Sequence, residues 1–116
     1  MISLRLKNLL PIPMQNITYV GELPTDVNDC IVIQENGGPH GTYFNSQQLD
    51  RPYIHLYVRN SNYAAGYQCI HICKKLLASY ADAVMSLVLI GDIKYLGRDD
   101  ARRSTFQLIF KTIYKE

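Results

Sequence analysis

One segment limits the fold more than any other: RPYIHLYVRNSNYAAGYQCIHICKKLL, from Arg51 to Leu77. Tyr53 to Arg59 alternates, with Ile54, Leu56 and Val58 on one face and Tyr53, His55, Tyr57 and Arg59 on the other. That is the pattern of a strand with one side turned to a core. Asn60, Ser61 and Asn62 follow at once and offer side-chain oxygens to the unpaired N–H groups of a helix start. The apolar spacing beyond them predicts a helix from Asn62 to about Tyr80.

At about 100° per residue, Cys69, Ile70, Ile72, Cys73, Leu76, Leu77 and Tyr80 spread with Tyr63, Gly66 and Tyr67 over roughly 220° of this helix. A helix resting on one sheet needs an apolar stripe only a little over about 100° wide. Gln68, His71, Lys75 and Ser79 hold the remaining side. Gly66 weakens a helix by about 1 kcal/mol relative to alanine, so close packing is its expected role. The surplus apolar surface implies that other chains cover part of the helix.

The flanking segments complete an α+β domain over residues 1–116, with a mostly antiparallel sheet of about four strands, one long helix and a short N-terminal helix. Leu4, Leu6, Leu9 and Leu10 mark that first helix, which Pro11 and Pro13 are expected to end. Ile17, Tyr19 and Val20 suit a brief strand, GELPTDVND a turn, and Cys30 to Gln34 a central strand. Glu35 to Asp50 (ENGGPHGTYFNSQQLD) exceeds the usual connection of about 4–6 residues. Tyr43, Phe44 and Leu49 give this loop apolar anchors, expected to order against a neighbouring subunit. Met85 to Gly97, bent at Gly91, and Thr105 to Tyr114 read as a terminal antiparallel hairpin around the polar turn GRDDARR.

Charge and chemistry narrow the function. A net charge of +2 lacks the strongly basic balance of a non-specific nucleic-acid binder. Arg98, Arg102 and Arg103 cluster at one turn, and Tyr53, Tyr57, Tyr63 and Tyr67 offer stacking faces, but Asp99 and Asp100 neutralise most of that cluster. No apolar run is long enough to span a bilayer. The opening MISLRLKNLLPIP is too short and too charged for a signal peptide, so synthesis in the cytoplasm is expected. Cys69, His71 and Cys73 fall within five residues, yet on a helix His71 projects about 160° away from both thiols. Neither these nor His55 and Cys30 have a zinc spacing, so core cysteines are expected, with no metal and no cofactor. ENGGPHG lacks the Lys-Ser/Thr ending of a phosphate loop, and no nucleophile elbow is present. No catalytic residue is expected.

The order GELP, ENGG, RPYIHLYVRN, a tyrosine-rich helix ending KKLL, and YLGRDDARR before a final strand resembles the tail terminator (minor capsid) proteins of long-tailed bacteriophages. The likeness runs from about Ile17 to Tyr114. It implies a non-enzymatic virion protein that assembles as a homohexameric ring. Such a ring caps the finished tail tube, stops its polymerisation and offers the surface for head-to-tail joining. The implied partners are the tail tube protein and a head-completion or connector protein, with no membrane and no specific nucleic acid beyond DNA passing through the ring. Arg51, Pro52 and Arg59 match the strand motif, Tyr63 and Gly66 the helix motif, and Gly97, Arg98 and Asp99 the hairpin motif. Members generally begin with a longer first helix than one curtailed by Pro11.

The residues expected to face a subunit or partner are therefore Tyr43, Phe44, Leu49, Arg51, Arg59, Tyr63, Tyr67, Arg98, Asp99, Asp100 and Arg102. Two other readings are a head-completion or neck adaptor protein and a small nucleic-acid-binding module. Tail length and a gel shift at physiological salt separate them from a terminator.

Overall fold

The alternation in the Arg51–Leu77 segment builds the middle of the molecule. A computed structural model describes residues 6–21, 24, 26–36, 53–78, 80–81 and 85–114. Its strands are β1 (Thr18–Val20), β2 (Cys30–Asn36), β3 (Tyr53–Asn60), β4 (Met85–Arg98) and β5 (Ser104–Tyr114). They form one five-stranded sheet in the order β1-β2-β3-β5-β4. β1 runs parallel to β2, and every other neighbouring pair is antiparallel. The domain is α+β as expected, with five strands rather than four. The Cys30 strand, β2, lies inside the sheet between β1 and β3, and β3 is the middle one of the five.

Ile54, Leu56 and Val58 of β3 pair across to Ile31 and Ile33 of β2 and to Phe106, Leu108 and Phe110 of β5. All are buried on one face. Upon them lies a helix, Tyr63–Leu77, which follows a four-residue helix α1 (Ile12–Gln15) and is α2 in chain order. Asn62 caps α2, its side-chain oxygen accepting from the Ala65 N–H at 3.1 Å. The helix ends at Leu77 rather than Tyr80, with Ala78 as the last helical hydrogen-bond donor. Gly66, Ile70, Cys73 and Leu77 are its buried residues, and Leu6 and Leu10 complete the same core.

Gly66 acts through its size. A Cβ there would lie 3.0 Å from Phe106 Cε1 and 3.1 Å from Asn60 Cβ, so a side chain would have to push these neighbours back by a few tenths of an ångström for the helix to sit this low on β5. The prolines at 11 and 13 also differ from expectation. A helical turn at residues 6–8 precedes them, but Pro11 and Pro13 then open α1, because a first turn needs no proline N–H. In β4 the bend does fall at Gly91, whose φ of +76° suits glycine alone without strain. Pairing with β5 slips between Ile90 and Lys94 and again between Tyr95 and Gly97. These bulges turn the outer part of β4 toward α2, where Asp92 accepts from Lys74 at 2.7 Å.

Two substitutions test this seating. Gly66→Val should lower stability by about 1–3 kcal/mol in urea unfolding, because its branched side chain must displace the buried Phe106 ring. Asn62→Ala should remove about 1 kcal/mol by the same measurement, the loss of one N-cap.

Candidate assembly surface

At about 100° per residue, the four buried residues of α2 fall within roughly 60° of its circumference. The rest of the apolar arc is uncovered on both sides of that stripe. Tyr63 and Tyr67 on one flank are 48% and 46% exposed; Ile72 and Leu76 on the other are 46% and 40% exposed. Isolated exposed apolar residues are ordinary, but two such rows on one helix are a feature of interaction surfaces. Cys69 is half-buried beside the stripe and Cys73 fully buried, where hydrogen bonding to the Cys69 sulfur and then burial push the Cys73 thiol up. His71 is exposed on the tyrosine flank, apart from both thiols. Among the described residues no three metal-binding side chains converge.

The tyrosine flank is organised around Phe106. Ring centroids of Tyr63 and Tyr95 lie 5.2 and 5.1 Å from that of Phe106, and Tyr63 meets Tyr95 edge-on at 5.3 Å. Tyr67 reaches Phe106 at 6.2 Å and His71 at 4.3 Å. Aromatic pairs of this kind each contribute about 0.5–1.5 kcal/mol beyond burial, so the flank is held in shape before any partner arrives.

Among the described residues, no helix covers the opposite face of the sheet. There Val88 and Ile90 of β4 stand beside Ile109 and near Ile113 of β5, and Val88, Ile90 and Ile113 are exposed. Next to them Gln107 Nε2 lies 3.2 Å from His55 Nδ1 and donates to Tyr57 Oη at 3.1 Å. Burial pushes the His55 imidazole below its ordinary value of 6.5. The chain thus exposes apolar side chains on two different surfaces, one on each side of the sheet.

Of the residues expected at an interface, Tyr63, Tyr67, Arg98, Asp99, Asp100 and Arg102 are exposed. Tyr43, Phe44, Leu49 and Arg51 lie outside the described residues. Arg59 is only 3% exposed and presents no outer surface. Its guanidinium donates to the carbonyls of Pro24 and Val27, and Arg103 reaches the same Val27 carbonyl at 3.2 Å. Together they clamp the segment before β2 across the end of the sheet. Asp99 is an organiser of its own turn. Its carboxylate accepts from the Ala101 and Arg103 N–H groups at 3.0 Å and pairs with the Arg103 side chain at 2.8 Å. The Arg103 N–H, followed by the Arg103 side chain, holds the Asp99 carboxyl below its usual value.

Tyr95, Phe106, Asp92 and the exposed pair Val88 and Ile90 were not among the expected residues. Strand alternation places Tyr95 with Leu87 and Leu89 and was available as a signal. The approach of Asp92 to Lys74 depends on the bulge and was not. No family model matches the chain, and no curated protein matches it.

Arg59→Ala should lower stability by about 1–3 kcal/mol in urea, since it strands the Pro24 carbonyl and leaves that of Val27 to Arg103 alone. A partner-contact role would instead leave folding unchanged. The His55 ring should titrate below 6.5 when followed by its imidazole proton signals. Above 6.5 both folded and unfolded chains hold it neutral. As pH falls from there toward the lower folded value, the unfolded chain binds the proton first, so stability should decline across that interval.

Proposed function

We propose that this chain is the subunit of a tail terminator ring of a long-tailed bacteriophage, which caps the tail tube and presents the joining surface for the head. The observation that carries this reading is the exposure of Tyr63, Tyr67, Ile72 and Leu76 on a helix whose central stripe is already satisfied. A second apolar surface at Val88, Ile90 and Ile113 lies across the sheet. Two different surfaces per subunit are what a closed ring with head-to-tail contacts requires. The motif resemblance of RPYIHLYVRN and YLGRDDARR to the terminator proteins supports the same reading.

The role is assembly rather than catalysis. In such a ring the apolar flanks of α2 form the buried part of a subunit contact, and the hairpin tip with Arg98, Asp100 and Arg102 supplies a polar rim. The tube protein and a head connector are the partners, and the mature protein resides in the virion neck.

Purified protein mixed with tail tubes should close their ends with rings in negative-stain images; tubes left open would overturn the reading. Ile72→Glu and Leu76→Glu, both at exposed positions, should shift unfolding by less than about 0.5 kcal/mol while abolishing capping. Phage lacking the protein should make overlong tails. Normal tails with leaking heads would identify a head-completion protein instead.

A further inference from the structure

The face of the sheet turned away from α2 carries a column of rings. Tyr53, His55 and Tyr57 alternate along β3, the middle strand, and all three are half-buried. Every second residue of a strand returns to the same face after about 7 Å. The rings of His55 and Tyr57 keep that spacing, with 6.3 Å between centroids and 29° between planes. Gln107 bonds to both and holds them in place. Tyr19 of β1, 39% exposed, extends the Tyr57 row, since it pairs with Val32 and Val32 pairs with Tyr57.

Charge on this face has one sign. Register puts Lys111 beside Tyr53, and Lys94 beside the Gln107 that neighbours Tyr57. The two lysines therefore flank the column on its β4 side, one near each end, and neither is ion-paired among the described residues. None of the paired strand residues on this face is Asp or Glu. The near-neutral net charge of +2 averages over this local asymmetry.

We propose that the column binds single-stranded nucleic acid, successive bases lying on the rings of Tyr53, His55 and Tyr57 and phosphates meeting Lys94 and Lys111. Aromatic side chains at alternate positions of an open sheet suit unstacked bases, whose flat faces a duplex hides. An apolar protein surface would bury two lysines and the Gln34 amide beside His55 and return no partner to them. Tyr63 and Tyr67 lie across the sheet on α2 and take no part. Val88, Ile90 and Ile113 border the column from the β4 side, so the site is tested on the free chain, and its failure would leave the ring reading as it stands.

Labelled oligodeoxythymidylate titrated with the full chain should show a saturable rise in fluorescence anisotropy. Its duplex with oligodeoxyadenylate should bind at least tenfold more weakly. Oligouridylate should bind within about threefold of the DNA strand, because stacking and phosphate pairing ignore the sugar. Log affinity against log salt should slope at about −1.4, about −0.7 for each of two phosphates. Lys94→Gln combined with Lys111→Gln should bring that slope close to zero. Tyr53→Leu and Tyr57→Leu, both on the face away from the core, should each weaken binding at least fivefold. Absence of saturable binding would overturn the proposal. Equal binding of the duplex, a tenfold preference for either sugar, or unchanged affinity in both tyrosine variants would do so equally.

Discussion

The close approach of Gly66 to Phe106 governs how α2 meets the sheet. With no side chain at that position, the first turns of the helix settle directly onto β5, and Ile70, Cys73 and Leu77 follow in line into the core. A cylinder lowered onto a sheet touches along a narrow stripe. Here that stripe is far narrower than the apolar arc, so Tyr63 and Tyr67 are left on one side and Ile72 and Leu76 on the other. The same contact places Phe106 beneath the tyrosines and so assembles the aromatic cluster. Core packing, the exposed flanks and this cluster share one cause.

A second constraint fixes the end of the sheet. Arg59 and Arg103 enter from β3 and from the β4–β5 turn, and both bond to carbonyls of the segment that leads into β2. Asp29 adds to the clamp by accepting from the Ser61 N–H at 3.0 Å, just before α2. The start of the helix, the entry to β2 and the hairpin tip are therefore held by polar contacts at one end of the sheet. A chain stiffened in this way presents its apolar surfaces in a fixed relation, which lowers the ordering cost of the proposed assembly.

Much of this architecture was legible because its determinants are local. The alternation of β3, the Asn62 cap, the apolar excess of α2 and the bend at Gly91 each arise within a few residues. The small side of Gly66 was legible too, as a glycine tolerated inside a helix without any turn to explain it. What escaped depends on contacts between distant segments. An arginine at the end of a strand reads as a surface charge, and the burial of Arg59 comes from carbonyls more than thirty residues away. The insertion of β5 between β3 and β4 lays Phe106 over the middle of the sheet, where pairing with β4 brings Tyr95 onto it. Asp92 meets Lys74 only because a bulge, invisible to a two-residue period, turns it toward α2. Pro11 and Pro13 were legible as breakers, but a breaker of one helix is also a suitable first turn for the next.

The most direct measurement is hydroxyl-radical footprinting of Tyr63, Tyr67, Ile72 and Leu76 in the free subunit and in the subunit mixed with tail tubes. All four side chains should be oxidised in the free chain and at least one flank strongly protected once tubes are capped, while exposed Leu9 at the N-terminal side keeps its reactivity. Equal oxidation of both flanks in the free and capped states would show that the surplus apolar surface of α2 is not what holds the assembly together.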